Sequence, residues 1–313
     1  MQLTSLDDVR AAARNIAGVA LRTPLLPTRW DDGLWLKPES LQPVGSFKLR
    51  GATNAVARLT DEQRARGVIT HSSGNHGQAL AYAARRAGAP CVVVIPDVAP
   101  AVKVDQVRAL GAEVVLVPPP ERLDVAQERA AKDGLALIPP YDHRDVIAGQ
   151  GTVGLEIAED LPDVDVVLVP VGGGGLASGV SAAITALLPH AKVVGVEPEL
   201  AADAQESLAK GELVAWPTEL NYRTVADGVR VNLSELTFAH LRERLDRIVT
   251  VTEDEIRAAM TRIVREARLV VEPTGAVTAA ARLFHADELP AGRTVAVVSG
   301  GNVDPQLLIA AIS

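Results

Sequence analysis

With 313 residues, 48% of them apolar and only 3% aromatic, the chain can bury a full core, and that core must be built from Val, Leu, Ile and Ala. A formal charge of -8, with no basic block and no interleaved aromatics, excludes a nucleic-acid surface and leaves a small molecule as the expected partner. The single cysteine, Cys91, excludes both a disulfide framework and a cysteine-based metal site.

In chain order, the N-terminal stretch places Asp7, Asp8, Arg10 and Arg14 at amphipathic helical spacing and has no apolar core of the signal-peptide kind. Nowhere do the roughly 18 apolar residues of a membrane span run together, so a cytoplasmic protein without membrane contact is expected. A helix-like run at 52–59 follows Lys48. Strand-length apolar runs then come at 68–71, 91–95, 112–117, 164–171, 191–196 and 294–298, and Cys91 reads as core packing in the second of them. Helical stretches at 78–87, 102–110, 123–132 and 175–188 lie between, an alternation that predicts a doubly wound α/β fold. The prolines at 118–120 read as a loop, because they cannot donate to a ladder or helix. Thr252 followed by Glu255 predicts a capping box ahead of Ile256, Met260, Ile263 and Val264. The strand-helix units between 68 and 136 look like a lobe inserted into a larger one. This predicts a small domain at 53–142, a large domain at 1–52 and 143–313, and a cleft between them.

Three segments carry chemistry. Lys48, in Ser46-Phe47-Lys48-Leu49-Arg50-Gly51, has no acidic residue near it in sequence between 41 and 60. A lysine that attacks an aldehyde must first lose its proton, which a dry setting without a carboxylate favours; a plain helix-start lysine is the alternative. In Ser72-Ser73-Gly74-Asn75-His76-Gly77 a strand ends in small polar residues and a helix begins, so N–H groups at the helix N-terminus can receive a carboxylate. There Asn75 can donate to a phenolic or carboxylate oxygen and Ser73 can pass a proton, although an ordinary capped turn with His76 in the core reads the same way.

The third segment, Gly172-Gly173-Gly174-Gly175, ends a strand and opens a helix, where successive N–H groups cradle a phosphate. The spacing Gly172-x-Gly174-x-x-Ala177, with Glu197 ending the next strand, also fits the dinucleotide fingerprint of an NAD-dependent oxidoreductase. That reading leaves Lys48 and the Ser72 turn without a role, whereas pyridoxal phosphate employs all three segments. Ser299, at the carboxyl end of the last strand, can hydrogen-bond a neutral pyridine nitrogen. A serine makes the ring a weaker electron sink than a carboxylate would, which favours β-elimination. A simple strand-to-turn serine is the bland alternative.

Together these residues resemble the fold-type II pyridoxal phosphate enzymes, specifically the serine/threonine dehydratase and serine racemase group, over nearly the whole chain. The likeness extends to Pro139-Pro140-Tyr141-Asp142, residues 146–151, Ala226-Asp227-Gly228, Glu272-Pro273-Thr274 and Ser299-Gly300-Gly301-Asn302. It implies a tryptophan synthase β-like fold, two doubly wound α/β lobes with the cofactor in the cleft between them. It implies that Lys48 forms the internal aldimine and removes the α-proton, that Phe47 and Asn75 contact the ring, and that Gly172, Gly173, Gly174 and Gly175 hold the phosphate. Ser299 would meet the pyridine nitrogen, and the substrate carboxylate would rest on Ser72, Asn75 and His76. The implied reaction converts L-threonine or L-serine to a 2-oxo acid and ammonia.

Serine racemisation and 3-hydroxyaspartate dehydration remain open on the same site. Ser73 resembles the serine that racemases place opposite the lysine, and proton exchange on two faces requires an acid–base group on each. Arg122 matches a racemase arginine by spacing. Two positions depart from the racemase pattern: Tyr141 stands where an asparagine is usual and Val231 where a serine is found. Glu197, Ala201 and Asp203 match the family's divalent-cation site, an oxygen-only set of two carboxylates and a backbone carbonyl that suits Mg2+ or Ca2+. The resemblance further implies a homodimer. The biosynthetic threonine dehydratases carry an extra C-terminal regulatory domain; the sequence ends at Ser313, directly after its last core segment, so feedback through such a domain is not expected.

Overall fold

The computed structural model describes residues 2–72, 74–99 and 101–313, and Ser73 therefore lies outside the described residues. In chain order the strands are β1 (Leu26–Pro27), β2 (Leu34–Pro38), β3 (Val68–His71), β4 (Cys91–Pro96), β5 (Glu113–Val117), β6 (Ala136–Leu137), β7 (Val166–Pro170), β8 (Lys192–Pro198), β9 (Arg247–Val251) and β10 (Thr294–Val298). They form a six-stranded sheet in the order β1-β2-β10-β7-β8-β9 and a four-stranded sheet in the order β5-β4-β3-β6. All neighbours are parallel except β1 and β2.

Parallel strands covered by helices on both faces read as continuous apolar runs, and β4, β7 and β10 are buried along their whole length. This is why six strands were legible as Val-rich apolar runs, even where Thr70, Glu113 or Gly195 interrupts them. β1, β2, β6 and β9 were not: β1 and β6 have only two residues each, β2 carries Lys37, which is fully buried, and β9 mixes its three apolar residues with Arg247 and Thr250.

Three local expectations can be checked against the helices. The capping box forms, with Glu255 N–H donating to Thr252 Oγ1 at 3.3 Å and Thr252 N–H to Glu255 Oε2 at 2.8 Å. The proline run is more than a loop. Pro119–Glu121 makes a 3-10 turn that leads straight into the helix Arg122–Asp133, a position where a missing N–H costs nothing. The helix expected from residue 52 begins at Lys48 itself and runs to Ala57.

One helix, Arg144–Asp160, sets the positions of the elements that matter for function. Its glycines let backbones touch. A Cβ at Gly149 would lie 2.6 Å from the Arg50 carbonyl, and one at Gly154 would lie 2.7 Å from the Val180 carbonyl. It thereby packs directly against both the helix that starts at Lys48 and the helix Gly175–Leu187. Beneath the Lys48 turn, Arg50 is fully buried and bridges Glu39 at 2.7 Å and Glu156 at 2.6 Å, while Lys37 meets Glu156 at 2.7 Å. Among the described residues, no helix is long and apolar enough to cross a membrane.

Candidate active site

The carboxyl ends of β3, β7 and β10 carry the three chemistry-bearing turns, the ligand side of an open parallel sheet. Lys48 is strapped to one of them. Phe47 N–H donates to the Ser299 carbonyl at 3.1 Å, and Ser46 bridges Gly300, so the first turn of the Lys48 helix is tied to the end of β10. The Lys48 amine donates to the Pro140 carbonyl at 2.8 Å and lies 5.0 Å from the centre of the Phe47 ring. The side chain keeps part of its surface open, yet crowding around the amine strips enough water to bring its pKa from 10.5 down to about 8.

At the end of β3, Ser72 Oγ accepts from Gly74 N–H at 3.3 Å, and the helix Asn75–Ala87 begins. The ring of His76 is buried, and its Nε2 meets the Ile138 carbonyl at 2.9 Å. A carbonyl only accepts, so the proton sits on Nε2. Burial, followed by the Lys48 charge, pulls the His76 pKa down to about 3, and the ring is neutral. What His76 offers the cleft is therefore its backbone N–H in the first helical turn, where N–H groups have no partner within the helix. Asn75 lies at the same helix start. Its Nδ2 donates to Glu272 Oε1 at 2.7 Å, and its Oδ1 accepts from Asn302 Nδ2 at 2.7 Å.

The tetraglycine follows β7 and has no room for side chains. A Cβ at Gly172 would lie 2.6 Å from Val229 Cα, and one at Gly173 would lie 2.4 Å from the Tyr141 ring. Gly174 adopts φ +80°, which a side chain resists, and a Cβ at Gly175 would meet Tyr141 Cβ at 2.8 Å. Ser299 is buried, with its Oγ 3.4 Å from the Thr274 carbonyl. The structure thus brings Lys48, Asn75, His76, the glycines and Ser299 to the junction of the two sheets. Tyr141, Glu272 and Asn302 join them. Each stood in a segment singled out by resemblance, but no residue-level signal gave them a contact in the site.

Glu197 and Asp203 lie apart from that junction, at the end of β8 and the start of the helix Asp203–Lys210. Both are fully buried. Glu197 accepts from the N–H groups of Ala204 at 3.1 Å and Gln205 at 2.8 Å, so its carboxylate is not available to a dinucleotide ribose. Asp203 Oδ2 accepts from Leu233 N–H at 3.2 Å, and Oδ1 is buried without a hydrogen-bond partner among the described residues.

Residues 16–300 match the family model described as pyridoxal-phosphate dependent enzyme. The chain belongs to that family. It is 41% identical to the L-threo-3-hydroxyaspartate ammonia-lyase of Saccharomyces cerevisiae, over 97% of this chain and 95% of the relative. With the L-threonine ammonia-lyase of Thermotoga maritima it shares 42% identity over 98% of this chain and 77% of the relative. The solved structure of maize serine racemase superposes with a TM-score of 0.94 at 36% identity, covering 99% of this chain and 97% of that one. Membership of this family sets aside the NAD reading of the tetraglycine.

The residues present fit pyridoxal phosphate. A turn whose four α-carbons cannot carry side chains would leave its N–H groups for a phosphate, and a lysine whose crowded amine has a depressed pKa would supply the amine. Because the amine is neutral above about pH 8, uptake of pyridoxal phosphate by cofactor-free protein should speed up as the pH rises to about 8 and then level off. An ordinary lysine would carry the rise on to about 10.5. Stopped-flow absorbance across this range distinguishes the two profiles.

Proposed function

We propose that this enzyme eliminates the β-hydroxyl of a small hydroxy amino acid, L-threonine or L-serine, to give a 2-oxo acid and ammonia. The observation that carries the reading is the crowded Lys48 amine, held by an uncharged carbonyl and, among the described residues, without a carboxylate partner, beside a side-chain-free glycine turn. Bound pyridoxal phosphate supplies the electron sink that makes the α-proton acidic. Lys48 takes that proton on Nζ. The N–H groups of Gly172, Gly173, Gly174 and Gly175 hold the phosphate, Phe47 and Asn75 flank the ring, and the Ser299 hydroxyl serves the pyridine nitrogen. Ser72 and the backbone N–H groups of Asn75 and His76 receive the substrate carboxylate. Residues 53–142 act as the small domain that covers this site, against 1–52 and 143–313 as the large one.

A second reading has its own observation. Arg122 is close enough to His71 and Tyr141 to act on both, adding to burial in lowering the His71 pKa and opposing burial at Tyr141, and a cation so close to the Ser72 turn is available to a second substrate carboxylate. This supports 3-hydroxyaspartate as substrate. One panel tests both readings: keto-acid release from L-threonine, L-serine and L-threo-3-hydroxyaspartate, with D-serine formation followed in parallel. Release from L-threonine or L-serine supports the first reading. Turnover confined to hydroxyaspartate, and lost in Arg122→Gln, supports the second, and D-serine without keto acid would overturn elimination altogether.

The Glu197 and Asp203 carboxylates, with the Ala201 carbonyl, form our proposed site for Mg2+ or Ca2+. The support is the unpartnered Asp203 Oδ1 in a fully buried place, where an anion needs a cation. Burial raises the Asp203 pKa to about 7, and burial with the Asp203 charge raises that of Glu197 well above its usual value. Either divalent ion at a hundred times its Kd should stabilise the protein by about 2.7 kcal/mol, seen as a rise in Tm. The rise should vanish in Asp203→Asn. A wild-type Tm indifferent to both ions would remove the site.

A further inference from the structure

The hydrogen bonds around Asn75 run in one direction, and the acceptors at their two ends set that direction. Asn302 Nδ2 donates at 2.9 Å to the carbonyl of Val44, which can only accept, so the Asn302 amide group must face this way. The same Nδ2 donates to Asn75 at 2.7 Å, so Asn75 must present Oδ1 there. Its Nδ2 is then turned the other way, onto Glu272 Oε1 at 2.7 Å. Glu272 is only 3% exposed, and its own N–H donates to the Gly300 carbonyl at 3.1 Å.

Two glycines leave room for this arrangement. A Cβ at Gly300 would fall 2.3 Å from Glu272 Oε1, and one at Gly45 would fall 2.4 Å from Asn302 Oδ1. Asn75 belongs to the helix after β3, in the four-stranded sheet, whereas Glu272 and Asn302 flank elements of the six-stranded one. The orientation of one carboxamide is thus set across the junction of the sheets.

We infer that Glu272 and Asn302 are positioning residues that hold the Asn75 carboxamide with its oxygen engaged and its nitrogen forward, so that Asn75 meets the cofactor ring only as a donor. An amide nitrogen has two N–H bonds; Glu272 takes one, and the other is the one that can reach a phenolic oxygen. A carboxamide free to flip could also present its oxygen, which accepts from and so favours the protonated phenol. The inference rests on the proposed contact of Asn75 with the ring.

The test reconstitutes wild type, Glu272→Gln, Asn302→Ala, Asn75→Ala and the two double variants with pyridoxal phosphate. It reads the cofactor's absorption bands across pH and its rate of loss on dialysis. Glu272→Gln keeps the side chain's shape and can still accept from Asn75 Nδ2, but it removes the charge, so the charge-assisted hydrogen bond is weakened without a cavity. Each single variant should shift the pH at which the yellow band gives way to the near-ultraviolet one and speed cofactor loss roughly tenfold, the size of one charge-assisted hydrogen bond. Neither substitution should add to the effect of Asn75→Ala, because both act through it. Single variants that match a yellow wild type, or effects that persist in full on the Asn75→Ala background, overturn the inference alone. A wild type that never turns yellow overturns the proposed function with it.

Discussion

Lys48→Ala loses turnover at least roughly a thousandfold while the protein remains folded. The loss should be of that size because two contributions vanish together: covalent attachment of the cofactor, and an acid–base group that by itself is worth about a hundred- to ten-thousandfold. Among the described residues the amine is held by one neutral acceptor, the Pro140 carbonyl, so its removal leaves no buried counter-charge among them. Borohydride reduction followed by digestion and mass spectrometry should find a pyridoxyl group on Lys48 of the wild type and none in the variant. A variant that still turns over at the wild-type rate would refute the role of this residue.

The second large effect falls on stability. Arg50→Met should cost about 3–5 kcal/mol, because removing one member of a buried ionic set leaves the others uncompensated. Arg50 donates to both oxygens of Glu39 at 2.7 Å and to both oxygens of Glu156 at 2.6 and 2.9 Å, and Lys37 alone cannot serve both carboxylates. Arg50→Lys should recover little, since a lysine lacks the planar fork that spans two carboxylates. Denaturant titration measures the loss, and a cost below about 1 kcal/mol would show that the set relaxes or takes up water.

The same network predicts an acid dependence. Burial by itself would raise the Glu39 pKa, but the Arg50 charge and hydrogen bonds, with help from Thr23 and Lys37, bring it below the ordinary 4.5. A depressed carboxylate stabilises the fold above its unfolded pKa and loses that contribution as the pH falls through the folded one. Wild type should therefore lose stability below about pH 4.5 more steeply than Arg50→Met does.

Much of the site could be read before any fold was known, because its chemistry sits in short contiguous turns. Lys48, the Ser72 turn, the tetraglycine and Ser299 each combine strand-end or helix-start position with the residue type that the chemistry needs. The helix at 144–160 was hidden for a physical reason. Gly149, Gly151 and Gly154 weaken helix propensity, and their purpose shows only once Arg50, Gly179 and Val180 are seen packed on them. β2 was hidden likewise, since Lys37 in a buried strand makes sense only beside Glu156.

By itself the sequence determined the α/β rhythm, the positions of Lys48 and the glycine turn, and the family, because periodicity and turn chemistry are local properties of the chain. Only the tertiary structure decided which way the Asn75 carboxamide faces, that His76 turns its ring onto Ile138, that Tyr141 lies against the glycines, and that a closed ionic set supports the Lys48 turn. Each of these depends on a partner far away in sequence, and hydrogen-bond polarity and desolvation are set by neighbours that only folding brings together.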